Sequence, residues 1–251
     1  VHMTYHEGGD FTVMNVDVGA GTSKIAIVQG GKVFDTCAVE VGARLIAMDE
    51  AGKINRLEDT ALKVAKIAGI ANLTLGGAIS EEEKDKFSQV LCDSLFQVLE
   101  RKKLSPEVES LLLTPNLEYA GPIHAIMFSG GVSEFVYGFE KRNLGDLGVQ
   151  LGKKVRARVN QLGGGNIPLR PAEVRIRATV IGASQYTVQV SGNTIYLSHP
   201  ESLPLRNLQV VTPVFEQTES ITAAEIRTAL ERGLPRFDAT YSAVVGYCTA
   251  A

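Results

Sequence analysis

The stretch Met14-Asn15-Val16-Asp17-Val18-Gly19-Ala20-Gly21-Thr22-Ser23-Lys24-Ile25-Ala26-Ile27-Val28 decides how the rest of this chain is read. Residues 11–17 alternate apolar and polar side chains, and residues 24–29 carry a second apolar run, so both read as strands. Asp17 closes the first, and Gly19, Ala20 and Gly21 turn the chain into the second. A third strand is expected over 32–40. Gly30-Gly31 joins it to the second, because two glycines accept the positive φ of a tight hairpin.

Three glycine-loop chemistries compete for DVGAGTSK. A Walker loop needs GxxxxGK[ST] ahead of a helix, but here Lys24 follows the hydroxyls and a strand comes next. A dinucleotide fingerprint needs a third glycine and a helix, but position 24 is lysine. In the third, a strand ends in Asp, a glycine turn follows, and a second strand leaves. Gly19 and Gly21 then let the backbone approach an oxyanion closely. The turn amides form an anion-binding nest, Thr22 and Ser23 add hydroxyl donors, and Asp17 holds a hydrated Mg²⁺. The alternative is a plain hairpin turn with no ligand.

The whole chain sets bounds on this. Its 251 residues suit one large domain or two small ones. With 45% hydrophobic and 21% charged residues it reads as globular, not disordered. Lys+Arg total 25 against 28 Asp+Glu, a net charge of −3, so no nucleic-acid partner is expected. No apolar run approaches the roughly 20 residues that span a bilayer. Val1-His2-Met3 opens no signal peptide and resembles a cloning scar ahead of an internal fragment. Cys37, Cys92 and Cys248 are odd in number and form no CxxC, which suits a reducing compartment. The four histidines show no zinc spacing, and no GxSxG is present.

Helical periodicity runs from Leu57 to about Gly69. Ser80-Glu81-Glu82-Glu83 is a capping box that opens a helix with Phe87, Val90, Leu91, Leu95, Val98 and Leu99 as its apolar stripe. Ser105-Pro106 opens a short helix. Residues 124–128 read as a buried strand stopping at Ser129-Gly130-Gly131, and 144–159 as a helix. Gly163-Gly164-Gly165 reads as a loop, 174–181 as strand or helix, and 186–190 with 194–198 as a hairpin. Thr222 to Glu225 is a second capping box, opening a helix that ends at Gly233-Leu234-Pro235. This order gives an α/β or α+β plan, a mixed sheet with flanking helices. At Gly130 and Gly131 a flat ligand could lie on bare backbone, with Ser133 capping the next segment or touching a ribose. A plain strand-to-helix turn is the other reading.

A strand-borne DxGxGTS, followed much later by strand-SGG and then by Gly182-Ala183, resembles the ATPase superfamily of actin, heat-shock chaperones and sugar kinases. More narrowly, MFSGGVSEFVYG (127–138), GDLG (145–148), IRATVIGASQYTVQVSG (176–192) and LPLRN (203–207) resemble the ethanolamine ammonia-lyase reactivating factors, from about Asn15 to Leu208. The resemblance implies an actin-like, ribonuclease H-like lobe over 1–185 with a helical insertion at about 43–120. Residues 186–251 would then belong to the second lobe or to a family-specific domain. It implies ATP and Mg²⁺ as ligands. Asp17 would be the catalytic and metal-holding residue, with Gly19, Ala20, Gly21, Thr22 and Ser23 on the phosphates and Gly130, Gly131 and Ser133 at the adenosine. It implies chaperone-like reactivation of adenosylcobalamin-dependent ethanolamine ammonia-lyase, the expected partner, by release of damaged cobalamin. The setting would be cytoplasmic, associated with a bacterial microcompartment. A filament-forming relative of actin and a small-molecule kinase are the competing activities.

The superfamily's first phosphate motif, another DxG on an opposite lobe, is not found. Asp146-Leu147-Gly148 lies in a helix-like stretch, where Asp146 reads first as a helix cap. Lys63 and Lys66 read as a solvated face. The chain therefore reads as a fragment lacking most of one lobe, expected to bind ATP weakly or not at all by itself and not to hydrolyse it.

Overall fold

A computed structural model describes residues 10–172, 175–177, 209–211, 222, 224–225, 227–228 and 243–245. The chain divides into two compact units, residues 1–188 and 189–251.

The first unit is organised by a four-stranded mixed sheet of order β3-β2-β1-β6. Strands β1 (Thr12–Val18), β2 (Ser23–Gln29) and β3 (Lys32–Val39) form an antiparallel meander, with Gly30 and Gly31 at φ 53° and 76° between the last two. Strand β6 (Ala125–Ser129) lies parallel to β1. Strand β1, paired on both edges, buries Val13 and Met14 on opposite faces, as expected for a central strand covered on both sides. The parallel β1/β6 pair needs a long crossover. The chain between β3 and β6 supplies β4 (Ile46–Met48), β5 (Ile54–Leu57), α1 (Asp59–Ala68), α2 (Glu81–Leu99) and the short α3 (Pro106–Glu109).

Helix α2 starts where its capping box lies. The Ser80 amide donates to Glu83 Oε2 at 2.8 Å, and the Glu83 amide donates to Ser80 Oγ at 3.2 Å. Phe87, Leu91, Leu95, Val98 and Leu99 are buried, each worth roughly 1.5–3 kcal/mol of apolar transfer. After β6 come α4 (Ser133–Val136) and α5 (Gly148–Val159). Helix α5 packs on α2 through Lys154–Asp85 at 2.8 Å, an Arg158–Asp93 ion pair, and the Arg158 guanidinium 5.0 Å from the Phe96 ring centre.

Three segments depart from the sequence reading. The β4–β5 hairpin carries no readable periodicity, because its strands are three and four residues long and a bulge interrupts them. Leu57 ends β5, so the first helix begins only at Asp59. Residues 144–147 are not helical: Gly145 takes φ 70° and Asp146 bridges to Ala47. Gly163 and Gly164 lie in a 3-10 turn over Leu162–Gly165, and Arg175–Arg177 form another. The rest of 174–181, the hairpin expected over 186–198 and the helix end at 233–235 lie outside the described residues. In the second unit, β7 (Gln209–Val211) and β8 (Ala243–Val245) pair in parallel. There too the Thr222 amide and hydroxyl both donate to Glu225 Oε2 at 2.7 Å, so the second capping box has formed. Among the described residues, no helix is long and apolar enough to cross a membrane.

Candidate functional site

The turn between β1 and β2 is closed by the Gly19 amide, which donates to the Thr22 carbonyl at 3.0 Å. Two further carbonyls of the turn accept from residues 43 and 44. Gly19 O accepts from the Ala43 amide at 3.2 Å, and Ala20 O from the Arg44 amide at 2.6 Å. The amides of Ala20, Gly21 and Thr22 donate to no acceptor among the described residues. This asymmetry, carbonyls spent and amides unspent, is what an anion needs. Gly19 and Gly21 do not take a positive φ. The amides are free because the 42–44 segment docks from one side. Only glycine fits at 42, since a Cβ there would lie 2.2 Å from the Ala20 carbonyl oxygen.

Parallel pairing sets Ser129 beside Asp17. Ser129 Oγ donates to Asp17 Oδ2 at 3.0 Å, and Asn15 Nδ2 donates to Ser129 Oγ at 3.3 Å. One oxygen of the half-buried Asp17 is thus fixed, while Oδ1 meets no hydrogen-bond donor among the described residues. Lys24, opposite Asp17 in the antiparallel register, brings Nζ to 4.0 Å from where a Cβ of Gly19 would stand. The SGG turn wraps over the end of β1. Gly130 has φ 79°, a Cβ on it would lie 2.4 Å from Val18 O, and the Val132 amide donates to that same oxygen at 3.2 Å. Gly131 faces open space, with no atom within 4 Å of a would-be Cβ.

Two expected hydroxyl contacts are corrected. Ser23 begins β2 with its side chain on the buried face shared with Ile25 and Ile27, and its Oγ donates to Val41 O at 2.7 Å. Ser133 is also fully buried, its Oγ donating to Gly130 O at 2.6 Å. Strand alternation and the start of α4 turn both side chains inward, where they tie down the loops that carry the site. Thr22 stays half-exposed with its hydroxyl uncommitted among the described residues.

Gly19, Ala20, Arg44, Gly131, Phe135 and Asp146 line a cavity of about 800 Å³. The exposed apolar side chains Phe139, Leu144 and Ile176 form another part of its wall. That size suits a small-molecule ligand. Its walls are fixed by backbone bonds: the Leu147 amide donates to Ala43 O at 2.9 Å and the Met48 amide to Gly145 O at 2.6 Å. Asp146 Oδ1 accepts from the Gly148 amide at 2.8 Å, and Oδ2 lies 3.7 Å from Arg44 Nε. The carboxylate therefore accepts from the first residue of α5 while standing two residues before it, outside the Leu147 cap position, and it also lines the cavity. Glu140, on the rim, is held down to about 2 by hydrogen bonds from the Arg142 guanidinium and nearby amides. Lys63 and Lys66 instead line a separate depression of about 670 Å³ beside α1, α2 and α3.

Sequence reasoning missed Asn15, Ser129 and Arg44 as site residues. Ser129 was legible only once β1 and β6 were known to pair, and Arg44 only once residues 42–44 were known to dock on the turn. Among the described residues no cluster of three His, Cys, Asp or Glu could hold a metal by itself. Asp17 fits instead a cation that takes one carboxylate and fills its shell with water and ligand oxygens, the habit of Mg²⁺.

The family model described as "Ethanolamine utilisation protein EutA" matches residues 2–245, and the chain belongs to that family. Its relatives include the ethanolamine ammonia-lyase reactivase EutA of Salmonella typhimurium, 32% identical over 207 residues that cover 80% of this chain and 42% of the relative. The Escherichia coli protein of the same description is 30% identical over 212 residues, covering 81% and 43%. The chain thus spans less than half the length of these curated relatives. The PPX-GPPA enzyme of Aquifex aeolicus, a solved structure, aligns over 69% of this chain and 57% of its own at 13% identity, with a TM-score of 0.35.

Proposed function

We propose that residues 1–185 are the phosphate-gripping lobe of an actin-like ATPase, and that the whole protein is an ATP-dependent reactivase of ethanolamine ammonia-lyase. The observation that carries the reading is the turn itself. The amides of Ala20, Gly21 and Thr22 are unspent, Asp17 at the end of the same strand is oriented by Ser129, and Gly19 and Ala20 of the turn line a cavity together with Gly131, which has open space in place of a side chain. In this reading the amides and the Thr22 hydroxyl receive phosphate oxygens, and Gly19 lets the ligand come close. Asp17 would hold a hydrated Mg²⁺, which would supply positive charge to the phosphates, while Gly130 and Gly131 admit the nucleoside. Mg-ATP, when bound, supplies the phosphoanhydride whose cleavage drives the cycle. The relatives' description as reactivases of the lyase supports the substrate side: the lyase is the partner, and release of its damaged cobalamin is the result. The reading puts the protein in the cytoplasm, in or beside a bacterial microcompartment.

The test is recovery of inactivated lyase by the full-length parent protein with Mg-ATP, wild type against Asp17→Ala. Removing a charge-stabilising group from a catalytic site lowers turnover by roughly 100-fold or more, and that loss is expected here. Recovery at the wild-type rate would take Asp17 out of the mechanism.

A further inference from the structure

Arg44 stands at the same cavity with no role in the reading above. Its amide donates to Ala20 O at 2.6 Å, so its backbone is bound to the turn, and Arg44 and Ala20 line the same cavity. The guanidinium makes no hydrogen bond among the described residues. Its ion-pair contact is Nε to Asp146 Oδ2 at 3.7 Å, beyond hydrogen-bond reach. The Arg44 side chain is half exposed, while that of Asp146 is only 9% exposed. Asp146 is itself anchored, because Oδ1 accepts the Gly148 amide and the flanking Gly145 and Leu147 are bonded to Met48 and Ala43. A buried, anchored carboxylate thus holds a cation over the cavity without consuming its donors. A planar guanidinium offers several N–H groups in a fork that matches a phosphate. Lys24 brings a second cation near the turn, but no ion pair or hydrogen bond among the described residues fixes its ammonium. Two further carboxylates, Glu134 and Glu140, line the cavity together with the cation Arg177, and Glu140 is already bound by Arg142 at 2.6 Å.

We propose that Arg44 reads the ligand's charge, its guanidinium pairing with a phosphate-class oxyanion seated on the amides of Ala20, Gly21 and Thr22, and that Asp146 positions it. The proposal rests on the nucleotide reading, and two probes separate their failures. Binding of inorganic tripolyphosphate and of adenosine to the full-length parent protein is followed by amide NMR shifts, which read millimolar affinities. Arg44→Gln weakens tripolyphosphate about tenfold, the scale of one charge-assisted hydrogen bond, and leaves adenosine unchanged. Arg44→Lys keeps the charge but not the fork and loses about threefold. Asp146→Asn falls between wild type and Arg44→Gln. The salt dependence of tripolyphosphate binding flattens in Arg44→Gln and persists in Arg44→Lys, which a merely structural role would not produce. Thermal melting confirms that each variant is folded.

If wild type binds tripolyphosphate and Arg44→Gln binds it equally well, the Arg44 inference fails and the nucleotide reading stands. Equal losses for both probes make Arg44 structural and overturn the inference as well. Wild-type binding of adenosine but not tripolyphosphate also overturns it. If wild type binds neither probe, the nucleotide reading falls and the inference falls with it.

Discussion

Glycine 42 and glycine 131 sit on either side of the same turn and should respond oppositely to one added methyl. At 42 the new Cβ would stand 2.2 Å from Ala20 O, 2.5 Å from Ala20 C and 2.6 Å from Gly21 C. Ordinary contact lies at 3.4–4 Å, so the turn and the 42–44 segment must part by more than an ångström. All three obstructing atoms are backbone, and no side chain can swing aside. The displacement breaks the 2.6 Å bond from the Arg44 amide to Ala20 O and weakens the 3.2 Å bond from Ala43 to Gly19 O. Overpacking costs about 1–3 kcal/mol and each lost hydrogen bond about 1 kcal/mol, against about 0.4–1 kcal/mol regained from a stiffer unfolded chain. The net loss for Gly42→Ala is about 2–4 kcal/mol, a fall in Tm of about 5–15 °C for a chain of this size. Gly131 has an unstrained φ and open space around its would-be Cβ. Gly131→Ala therefore melts within a few degrees of wild type, but its methyl projects into the cavity and weakens nucleotide binding. Calorimetric melting of both variants, with binding measured on each, tests the pair. A Gly42→Ala chain as stable as wild type, or a Gly131→Ala chain that melts as low as Gly42→Ala, would refute the packing argument.

Other consequences follow from single groups. Ser80→Ala removes the cap that accepts from the Glu83 amide and should cost about 0.5–2 kcal/mol, read as a lower urea midpoint with an unchanged slope. Glu140 should titrate near pH 2 by NMR, because the Arg142 guanidinium holds its ionised form. A lowered carboxylate pKa means that the pair's contribution is present above 4.5 and is lost as pH falls towards 2; Arg142→Gln should move the midpoint back towards 4.5. Cys92 is buried, and desolvation pushes its thiol up to about 12; burial raises Cys37 as well. Iodoacetamide at pH 8 should therefore leave both unlabelled in the folded chain and modify both in urea, with peptide mass spectrometry as the readout.

What could be read from residues alone was what local chemistry dictates. Gly30-Gly31 announced its hairpin, Ser80 with Glu83 announced a helix start, and the run ending at Ser129 announced a strand, because each signal is complete within a few residues. The two glycine turns that follow β1 and β6 were legible for the same reason. What was hidden depends on pairing at a distance. Ser129 reaches Asp17 only because β6 runs parallel to β1 in that register, and Arg44 reaches the turn only because Gly42 allows a backbone contact closer than any side chain permits. The Ser23 and Ser133 hydroxyls were misread because the residue type fits a phosphate, while the face on which strand and turn place each side chain decides whether it can meet one. Residues 144–147 read as helix by periodicity, but Gly145 at φ 70° lies 2.5 Å, measured from a would-be Cβ, from Met48 O, and that contact overrides the pattern.

The proposed function requires that a nucleotide's phosphates rest on the 19–22 turn. The most direct test is amide NMR of the full-length parent protein titrated with Mg²⁺ and a non-hydrolysable ATP analogue at millimolar concentration. The largest shifts are predicted at Ala20, Gly21, Thr22 and Gly131, with the amides of Lys63 and Lys66 unmoved. Shifts centred on the depression beside Lys63 and Lys66, or no shift at the turn when the analogue is in excess, would contradict it.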